Sequence, residues 1–349
     1  MIKKYLRLFT LFFGLMMTTI SYAATTNNPE INSVVEKNKI SIAVGGKNLF
    51  YYLPLTIADR LGYFRDEGLT VEISDFAGGG KALQAMIGGS SDVVAGAYEH
   101  TLKMQVKKQS LTAFVLMNTA PQIVMAVSRK TLPNYQQVSD LKGKKIGISA
   151  PGSSTNMLAN FVLAKAGMRP DDVSYIGVGT SAGAVAALRA GRIDAIVNTD
   201  PVIALLEQHH EITLIADTRS EQGTKAIFGG QMPAGALYSK SEFIAANPHT
   251  IQALTNAMVR ALHWLQKASP QEVSRVVPAS YLLNDVALYQ QAFAKNRATL
   301  STSGYFSPSG PERLLAVLKS YDPDVAATDI HLATTWTNQF AARANDKYK

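Results

Sequence analysis

The sequence predicts an α/β protein of two similar lobes, on three observations. Short β-rich runs alternate with helical stretches from residue 40 onward. The same order of runs returns 102 residues further along, with Ala82, Ala85, Gly89 and Asp92 falling on Ala184, Ala187, Gly191 and Asp194. The length, 349 residues, exceeds the roughly 250–300 at which single cores stop growing, and 47% hydrophobic against 17% charged residues supplies apolar side chains for two cores. That composition excludes a wholly disordered chain. The absence of cysteine excludes a disulfide scaffold, a thiol nucleophile and a cysteine zinc site, and leaves no N-terminal cysteine for lipid attachment.

The chain opens on Lys3, Lys4 and Arg7, followed by a mainly apolar run over 8–20 and the small-x-small sequence Ser21-Tyr22-Ala23. This reads as a signal peptide over 1–23, since the run falls short of the roughly 17–25 residues of a membrane span. Its removal lowers the formal charge from +8 to +5. Residues 24–38 are polar and read as a flexible leader. A strand is predicted over 40–44, a loop over 45–51 and a helix over 53–61. A strand over 71–76, a loop over 77–80, a helix over 81–87 and a strand over 92–95 complete the first set. The second set runs strand 145–149, loop 150–154, helix 155–166, strand 173–178, loop 179–182, helix 183–190 and strand 194–197. A further strand is read over 212–216, and the remainder as helical packing material, with Trp264 and Trp336 as core residues. Asn247-Pro248 caps a helix whose Ile251, Leu254, Met258, Leu262 and Leu265 share a face. Ser269-Pro-Gln-Glu272 and Ser309-Gly-Pro-Glu312 read as capping boxes.

Four loops carry strand ends into helices: Gly45-Gly-Lys-Asn-Leu-Phe-Tyr51, Ala77-Gly-Gly-Gly80, Ala150-Pro-Gly-Ser-Ser-Thr155 and Gly179-Thr-Ser-Ala-Gly183. Glycine admits close backbone approach, and the first N–H groups of a helix are free donors at its positive end. With the hydroxyls of Ser153, Ser154, Thr155, Thr180 and Ser181, these loops suit a carboxylate, sulfonate or nitrate. Ordinary helix capping is the alternative. Gly96-Ala-Tyr-Glu-His100 and Asn198-Thr-Asp-Pro201 end matching strands. Tyr98 could stack on a ligand, while Glu99 and Asp200 could accept from an amine or ring N–H, or simply cap the next helix.

Gly179-Thr-Ser-Ala-Gly183 also spells G-x-S-x-G, which opens a rival reading, a secreted serine hydrolase using Ser181. No His-Gly-Gly-Gly accompanies it, and neither His263 nor His331 has a sequence context that marks a base. His209-His210-Glu211 does not converge as an i, i+4 metal pair would, so no metal or cofactor is expected. Lys142-Gly-Lys-Lys145 lacks aromatic neighbours and reads as a solvated turn rather than a nucleic-acid patch.

Leu53-Pro-Leu-Thr-Ile-Ala58 followed by Gly62-Tyr-Phe-Arg-Asp-Glu-Gly-Leu69 resembles the start of the SsuA/THI5-like (NMT1/TauA) substrate-binding proteins. Leu141-Lys-Gly-Lys-Lys-Ile-Gly147, Gly152-Ser-Ser154 and Ala190-Gly-Arg-Ile-Asp-Ala195 fit the same family. The resemblance covers residues 40–265. It implies a periplasmic-binding-protein fold of type II with two crossovers, each lobe a mixed sheet flanked by helices. Lobe 1 would be 39–120 with 231–345, and lobe 2 121–230. The implied function is solute binding for an ABC importer: a monomer without catalysis, free in the periplasm, serving a membrane permease.

The resemblance also implies an interlobe site drawn from Asn48, Phe50, Tyr51, Gly79, Gly80, Tyr98, Glu99, Ser153, Ser154, Thr155, Thr180, Asn198 and Asp200. The crossovers would lie near Asn118 to Gln122, with Asn118 included in the site, and near Phe228 to Gln231. The expected solute is small and anionic or zwitterionic, a sulfonate, taurine, nitrate or aromatic acid, with a thiamine-pyrimidine precursor as the alternative. Tyr98-Glu99-His100 and Asn198-Thr199-Asp200 depart from the segments common in sulfonate binders, which argues against a simple alkanesulfonate. The cysteine-rich stretch of the yeast pyrimidine synthases is missing, so their chemistry does not carry over.

Overall fold

The computed structural model of the protein describes residues 35–349. The signal peptide read over 1–23 lies outside the described residues, as does most of the leader. Two five-stranded mixed sheets form the frame. The first is built from β1 (Lys39–Val44), β2 (Thr70–Asp75), β3 (Val93–Ala97) and β4 (Leu111–Leu116). The second takes β5 (Ile123–Ser128), β6 (Lys145–Ile148), β7 (Ser174–Gly177), β8 (Ala195–Thr199) and β9 (Ile212–Asp217). The chain then returns, and β10 (Gly235–Lys240) enters the first sheet. The orders are β2-β1-β3-β10-β4 and β7-β6-β8-β5-β9.

The two sheets are the same object built twice. In each, three parallel strands precede one antiparallel strand, β10 or β5, and that strand is the first to follow a passage between lobes. The sequence repeat survives as a shared hydrogen bond. The Asp92 carboxylate accepts from the Ser41 N–H of β1, and Asp194 accepts from the Lys145 N–H of β6, both at 3.0 Å.

Helices follow the strands, and those read over 53–61, 81–87, 155–166 and 183–190 are present. In the first lobe they are α1 (Leu53–Arg60), the short α2 (Tyr63–Asp66), α3 (Gly79–Ile87) and α4 (Glu99–Val106). In the second they are α5 (Ser154–Lys165), α6 (Ala182–Arg189), α7 (Val202–Gln208) and α8 (Glu221–Phe228). β3, β5 and β8 are buried along their whole length, as expected of central strands covered on both faces.

The last third comprises α9 (Ser241–Ala246), α10 (Pro248–Lys267), α11 (Pro270–Val276), α12 (Val286–Asn296), α13 (Ser309–Lys319), α14 (Pro323–Ala327) and α15 (Gln339–Lys347), and packs on the first lobe, with α12 also reaching α7 of the second. The residues on one face of α10 are buried as their spacing predicts. Ser269 and Glu272 form the expected capping box.

Four expectations are corrected here. The stretch after residue 216 is not helical throughout, because β10 occupies the interior of the first sheet. Ser309 is the first residue of α13 and makes no cap, with Pro308 preceding it. Asn247 does not cap α10, since its side chain donates back to the Phe243 carbonyl. The carboxylate of Glu36 caps that helix instead, accepting from the His249 and Thr250 N–H groups. Lys37 pairs with Asp92 at 2.6 Å, so the end of the presumed leader is tied down.

Candidate functional site

The C-terminal ends of the parallel strands of both sheets face each other, the place where open α/β sheets collect ligands. The facing loops touch. The Gly80 N–H of α3 donates to the Ser153 hydroxyl across the cleft at 2.9 Å. The Asn48 amide donates to the Thr180 carbonyl at 3.1 Å. The Phe50 N–H reaches the Asp200 carbonyl at 3.4 Å, and His100 Nε2 donates to the Gly152 carbonyl at 3.2 Å. Glycine makes this approach possible. A β-carbon on Gly80 would stand 2.4 Å from the Pro151 carbonyl oxygen, and one on Gly46 would stand 2.4 Å from the Thr180 hydroxyl. The lobes are therefore closed on each other along a seam of loop contacts.

Several residues expected at the ligand have other work. Ser153, Gly80, Asn48 and Thr180 form the seam itself. The Thr155 hydroxyl is bound within its own lobe, accepting from the Ser149 N–H at 3.0 Å. Asn198 donates to the Gly179 carbonyl and accepts from the Thr199 N–H, which uses both ends of its amide. Phe50 is a core residue, its ring 4.7 Å from Tyr289 and 6.3 Å from Phe293 on α12. Tyr98 is another, with its ring 4.9 Å from Phe306 and its hydroxyl bound to Thr335. Neither ring is a stacking platform.

Asp200 is likewise structural. One oxygen caps α7 at the Ala204 N–H and lies 3.3 Å from the Arg219 guanidinium. The other accepts from Asn296 at 2.7 Å. Arg219, 1% exposed, also holds Glu207 and Asp217 at 2.6 Å each.

A different set is left facing the interior. Tyr51 and Tyr52 pack edge to face at 4.9 Å. Gly79 leaves room in which the Tyr52 hydroxyl and His100 Cε1 both lie 3.5 Å from where its β-carbon would be. His100 Nδ1 accepts from the Tyr238 hydroxyl at 2.7 Å. A carbonyl only accepts, so Nε2 carries a proton, and because the pKa of His100 is low the ring is neutral near pH 7 and Nδ1 is left to accept. Burial lowers the pKa of His100 to about 4, although the Gly152 bond pulls the other way.

Glu99 is 4% exposed, and its carboxyl makes no hydrogen bond among the described residues. Burial raises its pKa to about 7, with Lys103 opposing. Asn118 sits fully buried in the passage from β4 to β5. Neither its Nδ2 nor its Oδ1 has a partner among the described residues, and the Tyr51 backbone crosses beside it at Gly235. A pocket of about 610 Å3 shares Gly80, His100 and Gly152 with the seam, but Tyr51, Glu99 and Asn118 do not line it.

The NMT1-like family model matches residues 36–277, well over half of the chain. The chain belongs to the NMT1-like family. A protein of Brucella abortus (strain 2308) named as a binding protein is 26% identical to this NMT1-like chain over 271 residues, 77% of this chain and 80% of its own. A protein of Haemophilus influenzae named for thiamine biosynthesis is 28% identical over 197 residues, 56% of each chain. A solved structure from Bordetella bronchiseptica RB50 is 55% identical with a TM-score of 0.88, covering 90% of this chain and 99% of that one. The alkanesulfonate-binding protein SsuA from Xanthomonas axonopodis pv. citri, bound to MOPS, shares the fold at 20% identity and a TM-score of 0.67, over 87% and 99% of the two chains. The two-lobed architecture of this NMT1-like protein is that of the periplasmic binding proteins.

Sequence reasoning passed over Tyr52, His100 and Tyr238. The first two had a signal, since each adjoins a chosen residue in a strand-end loop. Tyr238 had none, because β10 was not foreseen.

Glu99 and His100 give this NMT1-like site a defined pH response. Burial raises the pKa of Glu99 from its ordinary 4.5 to about 7, so stability falls as pH rises from 4.5 through 7 and the whole cost applies above it. His100 acts oppositely, costing stability as pH falls from 6.5 to about 4. Glu99→Gln removes only the first effect. Urea unfolding should find this variant more stable than wild type by about 3 kcal/mol near pH 8, with the gap closing by about pH 4.5. A gap independent of pH would contradict the assignment.

Proposed function

We propose that the protein is the extracytoplasmic solute-binding component of an ABC importer, carrying a small anionic or zwitterionic organic solute between its lobes without altering it. The seam of direct bonds between strand-end loops carries this reading. A solute bound by both lobes adds to those bonds, and the closed form is the shape a membrane permease can distinguish from the open one. The Ser154 and Thr155 N–H groups at the start of α5 make no backbone bond, and Ser154 lies beside the Tyr51 phenol, so an anionic group has donors there. The kinship with a named binding protein supports the reading, as does the fold shared with an alkanesulfonate-binding protein. Export would follow from cleavage after Ala23, which N-terminal sequencing of the secreted protein would report as a chain starting at Ala24.

Thermal unfolding against nitrate, taurine, alkane and aryl sulfonates, aromatic carboxylates and aminopyrimidines tests the proposal. A solute at a hundred times its Kd adds about 2.7 kcal/mol, a shift of several degrees. Ser181→Ala should leave that shift intact. Ser181 is exposed and its side chain makes no hydrogen bond, so no histidine activates it among the described residues. No shift across the panel, together with ester cleavage lost in Ser181→Ala, would replace the binding protein by a hydrolase.

A further inference from the structure

We infer that α12 latches the two lobes together from outside the solute cleft, and that Asn296 on this helix sets how far the empty protein rests closed, a role that rests on the binding reading above. α12 belongs to the first lobe by its apolar side. Tyr289 and Phe293 pack on the Phe50 ring, and Gln290 donates to the Ser274 hydroxyl of α11. Toward the second lobe the helix offers polar groups at both ends. At its C-terminal end the Asn296 amide, 1% exposed, donates to the Asp200 carboxylate at 2.7 Å, and Lys295 stands 3.9 Å from Asp217. At its N-terminal end the Asp285 cap accepts from the amide of Gln208, the last residue of α7, at 3.3 Å. The 11 residues between these ends span about 16 Å along the lobe boundary.

The segment after α12 reaches the hinge. The Thr299 carbonyl accepts from the Thr119 N–H at 2.9 Å, and its hydroxyl accepts from the Gln122 amide at 2.8 Å, both in the first passage between lobes. Rotation about that passage must part the second lobe from α12 or strip α12 from Phe50. The polar contacts are the ones that part at low cost. Separating an amide from a carboxylate returns both to water, whereas lifting Tyr289 and Phe293 off Phe50 exposes apolar rings. Within the closed form the same polar choice is expensive, since the Asn296 Oδ1 and the Tyr289 hydroxyl have no partner among the described residues. A leucine at 296 would leave no such atom, so the asparagine is accounted for by the bond it makes across the boundary. That bond favours closure whether or not a solute is present. A solute held by both lobes binds the closed form, so its apparent affinity scales with the closed fraction.

The chain has no cysteine, so spin labels on Lys319→Cys of the first lobe and Arg169→Cys of the second, both exposed, read the lobe separation by pulsed electron paramagnetic resonance. Without solute the otherwise unaltered protein should show one distance, which nitrate, taurine and the other probes of the thermal panel leave in place. Asn296→Leu should add a second distance, and a probe that binds should remove it while binding about tenfold more weakly by calorimetry. Gln208→Glu sets a carboxylate against Asp285 at the exposed end of α12, where the fold is not at stake. It should add the same second distance at low salt and lose it in about 0.5 M sodium chloride. Should Asn296→Leu fail to fold, Gln208→Glu decides. One unchanged distance in the folded variants overturns the latch and leaves the binding protein standing, as does an otherwise unaltered protein already as open as Asn296→Leu. Binding of no probe overturns the binding reading, and the solute-free distances still decide the latch.

Discussion

Gly80→Ala should leave the protein folded and cost roughly a hundredfold in solute affinity. Gly80 is the second residue of α3, where alanine is the better helix former, so the substitution does not harm its own lobe. The new methyl meets the other lobe, 2.4 Å from the Pro151 carbonyl oxygen, about 1 Å inside van der Waals contact. That oxygen belongs to backbone and cannot swing aside. The lobes must stay apart, and the bonds from Gly80 to Ser153 and from His100 to Gly152 are broken with them. A hundredfold is about 2.7 kcal/mol, within what two cross-lobe hydrogen bonds and a steric block supply. Calorimetry gives the affinity, the melting temperature without solute reports the fold, and small-angle scattering reports whether added solute still closes the lobes. Wild-type affinity with normal closure would show that the seam is not part of binding.

Arg219→Leu should destabilise the protein by about 3–5 kcal/mol, the cost of breaking a buried ion pair from one side. The guanidinium is 1% exposed and faces three carboxylates, of which Asp200 is wholly buried. Burial already raises the pKa of Asp200 and Arg219 opposes that rise. Without the arginine, Asp200 must be protonated or remain a lone buried charge. Its folded pKa then climbs further above the unfolded value, so the variant should lose most stability at high pH and recover part of it as pH falls. Urea unfolding near pH 5 and pH 8 checks both size and direction. A small loss independent of pH would mean that Asn296 and the α7 cap suffice to hold Asp200.

The repeat was legible because it is written in local patterns. Gly89 with Asp92 and Gly191 with Asp194 mark equivalent turns, and each aspartate ties its strand to the next. The loops at the cleft were legible for the same reason. What their side chains do there was not, since that depends on partners far along the chain. Phe50 is a core residue because α12 packs on it, and Tyr98 because Phe306 and Thr335 do. Asp200 looked like a ligand group until Arg219 and Asn296 were placed around it. β10 escaped notice because Gly235-Ala-Leu-Tyr-Ser-Lys240 has neither alternation nor a β-branched residue, and its place inside a sheet is fixed by neighbours on both sides. Glu99 is the converse case: the sequence raised it as a candidate, and the structure buries it without the ion pair and asparagine bond that hold Asp200.

The strand order has a consequence for how the molecule is made. β5 to β9 are contiguous, so the second sheet holds every strand it needs by residue 217. The first sheet does not, because β10 separates β3 from β4 and lies beyond the whole second lobe. A chain emerging from its N-terminus reaches the end of β4 with a gap where a central strand belongs, and two apolar strand edges stay unpaired until some hundred residues more have followed. The lobe begun first is completed last. Synthesis or translocation stopped between residues 217 and 235 would leave one finished lobe attached to an aggregation-prone half sheet.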